Sequence, residues 1–163
     1  MRKNRIYLDT SVISHLEAHD TPERMRDTQK FWDILGEGHL FEIFISSVTE
    51  RELDDCPQPK RTFLLQHLAD ISFESIDETE EILALAEEYV KQGVLSKKHF
   101  NDLLHIAHAV VADCSIIASW NFKHFVNIRT IDRVNAVNLT NGYQQVKIVP
   151  PSMLISEGDD HEL

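Results

Sequence analysis

Leu40-Phe-Glu-Ile-Phe-Ile-Ser46 is a strongly apolar, strand-forming run, and Ser47-Val-Thr-Glu-Arg-Glu-Leu53 follows at once with helical character. This order recurs along the chain and constrains the fold more than any other feature. Arg5-Ile-Tyr-Leu-Asp9 reads as a short strand running into Asp9-Thr10-Ser11, where Thr10 or Ser11 would cap a helix. Thr21-Pro22-Glu23 reads as a second helix start, with Thr21 as cap, and that helix would reach Gly36 and bury Met25, Phe31, Trp32 and Leu35. Ser47, with Glu50 three residues on, has capping-box spacing. Pro57 and Pro59 break the chain before a short helix from Lys60 to Leu68.

The second half repeats the pattern. Ile71 to Ile76 alternates as a minor or edge strand. Asp77 to Gln92 is amphipathic, with Ile82, Leu83, Leu85, Ala86 and Val90 expected inward and Gly93 as the stop. Ser96 is the expected cap of a helix reaching about Asp113, apolar almost all round from Leu103 and so buried on several sides. Ser115 to Ser119 reads as a buried strand, Arg129 to Asn141 as a helix and Gln145 to Val149 as a last strand before Pro150-Pro151. Apolar strands alternating with helices imply α/β architecture with a mainly parallel sheet covered on both faces. Ligands bind such sheets beyond the carboxyl ends of the strands.

The 163 residues suit one domain, expected over 1–155, followed by an acidic, flexible tail over 156–163. No apolar run is long enough to span a membrane, and the start of the chain is too short in apolar residues for a secretory signal; both favour the cytoplasm. Cys56 and Cys114 are not paired as C-x-x-C, and free thiols are expected. The formal net charge of −11 argues against a broad basic surface holding nucleic acid by counterion release alone. Much of the excess is local: Glu74 to Glu88 holds seven acidic residues and no basic one, as the wet face of a helix would. A local basic rim and a bound cation would still be compatible with a nuclease.

Four polar residues fall at comparable places. Asp9 ends the first strand, Glu52 lies in the helix after the Leu40 to Ser46 strand, Asp102 opens the apolar helix, and Asn121 follows the Ser115 to Ser119 strand. In a parallel sheet these places share one edge. Three carboxylates there would raise one another's pKa unless a cation neutralised them, and oxygen ligands favour Mg²⁺ or Mn²⁺. Each residue has a bland reading as well: Asp9 as a helix cap, Asp102 as a partner of the helix dipole, Glu52 as one of several solvated acids.

As an ordered set the motifs resemble the PIN-domain family. Arg5-Ile-Tyr-Leu-Asp9-Thr-Ser-Val-Ile-Ser is similar to its first motif, and Ile45-Ser-Ser-Val-Thr-Glu-Arg-Glu52-Leu53 to its second. Asn101-Asp102-Leu-Leu-His-Ile-Ala-His-Ala is similar to the third, and Ile116-Ile-Ala-Ser-Trp-Asn121-Phe-Lys-His-Phe125 occupies the place of the fourth. The resemblance implies a three-layer α/β/α sandwich with a mainly parallel four- or five-stranded sheet. It also implies a metal-dependent ribonuclease, akin to the VapC-like toxins of type II toxin–antitoxin pairs, with RNA as substrate, a cognate antitoxin as partner and a homodimer as its state. The implied metal ligands are Asp9, Glu52 and Asp102, holding Mg²⁺ or Mn²⁺. Asn121 stands where the family often has aspartate; it offers a carbonyl oxygen but no charge.

The expected mechanism places a metal-activated water in line with a scissile phosphate. Thr10 and Ser11 would position that phosphate, and Lys123 and His124 would meet the RNA backbone. His105 and His108 read chiefly as packed, hydrogen-bonded histidines; a di-iron bundle conflicts with the strands, and a zinc role lacks further ligands. The strand-Asp9 start also resembles haloacid-dehalogenase-type phosphatases, but these need a second aspartate where Ser11 stands. A PIN module that binds RNA or a protein without cutting it is the alternative function.

Overall fold

The computed structural model describes residues 3–38 and 40–159, with side chains to Ile155. Five strands, β1 (Asn4–Leu8), β2 (Phe41–Ser46), β3 (Glu74–Ile76), β4 (Ile116–Ala118) and β5 (Lys147–Val149), form one sheet in the order β3-β2-β1-β4-β5. Every pairing is parallel. The helices are α1 (Thr10–Ser14), α2 (Pro22–Gly36), α3 (Ser47–Asp54), α4 (Lys60–Leu68), α5 (Glu80–Lys91), α6 (Phe100–Val111), α7 (Ile128–Thr140) and α8 (Ser152–Asp159).

Alternation along each strand divides the interior into two cores. Ile6, Leu8, Ile43 and Ile45 face one core with Phe31, Trp32 and Leu35 of α2, Leu53 of α3, Leu64 of α4 and Leu154 of α8. Tyr7, Phe44, Ile117 and Ile148 face the other with Leu85 and Tyr89 of α5, Leu103 and Ile106 of α6, and Val134 of α7. The expected three-layer α/β/α sandwich is therefore observed, with a five-stranded, all-parallel sheet. Each large apolar side chain sealed in these cores contributes roughly 1.5–3 kcal/mol against exposure.

Several caps differ from expectation by one residue. Asp9, not Thr10 or Ser11, caps α1, its carboxylate accepting from the Val12 N–H. Ser46, not Ser47, caps α3, in a capping box completed by Thr49 rather than Glu50. Ser46 is the last residue of β2 and Asp9 the first after β1, so in both cases the helix is capped right at the strand's end. Thr21 and Ser96 precede helical segments without a side-chain cap bond. The segment after Ser96 is divided: Lys97–His99 forms a short 3₁₀ turn, and α6 begins only at Phe100. On α5 the buried residues are Ile82, Leu85, Ala86 and Tyr89; Leu83 is exposed and Tyr89 takes the inward place. On α2, Thr28 is buried and Met25 only partly so.

The helix α8 was not expected, because Met153-Leu-Ile155 is too short an apolar run to announce one. It packs on α2. Its backbone reaches Asp159, into the stretch expected as a tail; residues 160–163 lie outside the described residues. Both cysteines are free, and burial pushes the Cys114 thiol up to about 12. No helix among the described residues is long and apolar enough to cross a membrane.

Candidate active site

Chain order reverses between β1 and β4, where successive units turn to opposite sides of the sheet. The crevice at such a switch point lies beyond the strands' carboxyl ends. Leu8 is in register with Ala118, which sets Asp9 beside Ser119, and the Asp9 N–H donates to the Ala118 carbonyl at 3.3 Å.

Asp9 is only 3% exposed. Its Oδ1 accepts from the Ser11 hydroxyl at 2.6 Å and from the Val12 N–H at 3.2 Å. Its Oδ2 accepts from the Ser119 hydroxyl at 2.7 Å. Desolvation pushes the Asp9 pKa up; the charge of His105 and these hydrogen bonds offset only part of it.

Glu52 reaches the same edge from α3. Its Oε1 accepts from the Thr10 hydroxyl at 2.8 Å and from His105 Nε2 at 2.5 Å. Burial works to raise its pKa, but the His105 bond and charge, helped by Thr10, outweigh this and hold the carboxyl below its ordinary value. His105 is 2% exposed, and its Nδ1 lies 2.5 Å from the Tyr7 hydroxyl. Tyr7 in turn lies 2.7 Å from the Ser46 hydroxyl. A carboxylate only accepts, so Nε2 of His105 donates; in a neutral ring Nδ1 then accepts from Tyr7, and Ser46 donates to Tyr7. One buried wire thus ties β1, β2, α3 and α6 to the Glu52 carboxylate.

Asp102 lies in the first turn of α6, half-buried, and its Oδ2 accepts from His124 Nδ1 at 2.8 Å. The His124 N–H donates to Asn121 Oδ1 at 2.9 Å, and the Asn121 N–H donates to the Ser119 hydroxyl at 2.9 Å. A continuous hydrogen-bonded path therefore runs from Asp9 through Ser119, Asn121 and His124 to Asp102.

Against this geometry, the comparisons are specific about the fold. The model of the family described as "PIN domain" matches residues 6–125. That span contains all four motif residues and most of the chain. The chain belongs to the PIN-domain family. The family is one of nucleases. Among solved structures, one similar in fold is that of VapBC2 from Rickettsia felis bound to a DNA fragment from their promoter. Its TM-score is 0.54 at 19% identity, over 73% of this chain and 89% of that one. No curated protein matches the chain.

Within this PIN domain the expected residues divide into two groups. Thr10, the chain neighbour of Asp9, donates to Glu52, whereas Asp102 connects to Asp9 through the loop after β4. Among the described residues, the triplet of His, Cys, Asp or Glu side chains with all ligand atoms within 4.8 Å of one another is His99, Asp102 and His124, not the three carboxylates. The Thr10 and Ser11 hydroxyls, expected to meet substrate, donate to Glu52 and Asp9. Ser11 Oγ also accepts from the Trp120 N–H at 2.9 Å. Asn121 uses its carbonyl oxygen on its own loop, and His124 spends its N–H groups on Asn121 and Asp102. Lys123 is exposed on that loop, and Lys97 and Lys98 are exposed before α6.

Ser119, Tyr7 and His99 were not legible as site residues. Ser119 is visible only once the register pairs it with Asp9. Tyr7 reads as an ordinary strand aromatic, and His99 as one residue of a basic run.

The carboxylate set suits a hard divalent cation. Both bonds to Glu52 fall on Oε1 and the bond to Asp102 on Oδ2; among the described residues Oε2 of Glu52 and Oδ1 of Asp102 accept none. Asp9 Oδ2 takes a single bond and keeps a lone pair. A desolvated carboxylate such as Asp9 is stabilised as an anion by a cation nearby.

Proposed function

We propose that this chain is a metal-dependent endoribonuclease. Asp9, Glu52 and Asp102 are its metal-binding carboxylates for Mg²⁺ or Mn²⁺, and Asn121 shapes the loop that holds Asp102. The observation that supports this most is the double tether of Asp9, to Glu52 through the hydroxyl of its chain neighbour Thr10 and to Asp102 through the hydrogen-bonded path of Ser119, Asn121 and His124. When bound, such an ion supplies Lewis-acid polarisation of a phosphate and an acidified water. The chain's own residues do the rest. The wire from Ser46 through Tyr7 and His105 keeps Glu52 ionised and in one orientation. Ser11 and Ser119 fix both oxygens of Asp9. Lys97, Lys98 and Lys123 form a basic rim beside the site on an otherwise acidic molecule, where an RNA backbone would be drawn in.

The chain would act as the toxin of a toxin–antitoxin pair, with a cognate antitoxin as partner and a homodimer as its state, in the cytoplasm. The fold shared with the VapBC2 structure supports this reading.

One observation favours a non-cleaving module that binds RNA or a protein: the Asp102 carboxylate already has the His124 imidazole as partner. Cleavage of a mixed RNA pool with Mn²⁺ decides between the two. The nuclease reading expects cleavage that EDTA stops and that Asp9→Asn removes. Cleavage insensitive to both, or no cleavage together with no Mn²⁺ uptake, would sink it.

A further inference from the structure

The open flank of the site holds a donor set in which two histidines that the nuclease reading gives no metal role, His99 and His124, meet Asp102. His99 ends the 3₁₀ turn before α6, Asp102 sits in the first turn of α6, and His124 comes from the loop after β4. One ligand atom from each lies within 4.8 Å of the others. The two imidazole rings are 4.0 Å apart between centroids, tilted by 49°. His124 Nδ1 is already directed at Asp102, at 2.8 Å. All three side chains are partly exposed, so an ion can reach them from solvent.

The chemistry of this set differs from that of the carboxylates. Imidazole nitrogens suit zinc, cobalt, nickel or copper ions, whereas Mg²⁺ favours oxygen and keeps most of its waters. Two histidines, one aspartate and a water make a four-coordinate site with one open position. Metal–ligand bonds of about 2.0–2.2 Å at tetrahedral angles place donors roughly 3.3 Å apart. No pair of ligand atoms therefore has to close by more than about 1.5 Å, while the His124–Asp102 pair, now hydrogen-bonded at 2.8 Å, opens by roughly 0.5 Å as the ion replaces the shared proton, all within the reach of side-chain rotation on a partly exposed face. Asp102 acts electrostatically on His99 in favour of a cation, against Lys98 and Lys123.

We propose that His99, Asp102 and His124 form a binding site for a divalent transition-metal ion of the zinc class. The site shares Asp102 with the carboxylate set but does not rest on the nuclease reading, since Asp9 and Glu52 take no part.

The test is titration of Co²⁺ into the metal-stripped full chain carrying Asp9→Asn, followed by visible absorption and calorimetry. The expected result is one Co²⁺ per chain with the intense bands of four-coordinate nitrogen and oxygen ligation. Stoichiometric Zn²⁺ should displace it and a large excess of Mg²⁺ should not. Adding His99→Ala or His124→Ala should weaken uptake at least about tenfold, while His19→Ala, at an exposed histidine elsewhere, should leave it unchanged. Circular dichroism checks that each variant is folded; His99→Ala, lying before α6, decides the matter if His124→Ala is not. Uptake that survives both histidine substitutions, displacement by Mg²⁺, or no uptake at all would overturn the proposal. A wild-type chain that cleaves RNA with Mn²⁺ yet fails this titration sinks only the transition-metal site; one that passes it without cleaving sinks only the nuclease.

Discussion

The two flanks of the site are built differently. On the Asp9–Glu52 flank, each carboxylate accepts at least two hydrogen bonds, and the groups behind them are buried in β1, β2 and α6. On the Asp102 flank, the carboxylate has one imidazole partner, on a loop, and both are partly exposed. The first flank is held by the same packing that holds the sheet. The second hangs on α6's first turn and a loop, with both side chains partly open to solvent.

The largest expected effect tests whether the partly exposed flank is needed for chemistry. Asp102→Asn should reduce Mn²⁺-dependent cleavage by roughly 100-fold or more, the scale of losing an electrostatic group at a reacting centre, with thermal unfolding little changed. Retained activity would mean that Asp102 serves structure only.

Next in size is a stability contrast. Tyr7→Phe leaves His105 Nδ1 and the Ser46 hydroxyl short of a buried partner and should cost about 1–3 kcal/mol in denaturant unfolding. His124→Ala, on the partly exposed flank, should cost less than about 1 kcal/mol. Equal costs would erase the distinction between the flanks.

A smaller effect concerns pH. The folded-state pKa of Asp9 is raised above its ordinary 3.8, chiefly by burial, so the folded chain holds a proton that the unfolded chain has released. The associated stability is fully present below the ordinary value and is lost as pH rises through the raised one. At neutral pH, with metal chelated, ionised Asp9 is therefore a destabilising group. Asp9→Asn should melt a few degrees higher than wild type at pH 8, and this advantage should vanish by about pH 3, below the ordinary range for aspartate. Glu52 has the opposite sign. Its folded pKa is lowered, so it contributes stability above its ordinary value of 4.5 that is lost as pH falls through the folded one. Glu52→Gln should thus melt lower than wild type at pH 8. Unfolding profiles that move the same way for both variants would contradict the geometry.

Much of this was legible beforehand. The apolar strand runs, the helix from Lys60 to Leu68 and the Gly93 stop after α5 follow from local pattern, and Gly93 takes the positive φ of +76° that such a stop requires. Asp9, Glu52 and Asp102 stood out because each lies where a strand end or helix start should reach one edge. What failed was finer. Ser46 rather than Ser47 caps α3, and Asp9 rather than Thr10 or Ser11 caps α1, because the turn falls at the strand's very end and alternation alone does not set that boundary. On α5 Leu83, expected inward, is exposed and Tyr89, not among the expected inward residues, is buried, since a helix's buried stripe is set by the direction of its neighbours.

Local sequence determined that this chain would alternate strands with helices and carry its acids at their junctions, since periodicity and capping act over a few residues. Only the tertiary structure decided which groups meet those acids. Ser119 reaches Asp9, and His105 reaches Glu52, across long stretches of chain, through strand register and helix packing. Such contacts depend on how the layers stack, and no short window of sequence contains that information.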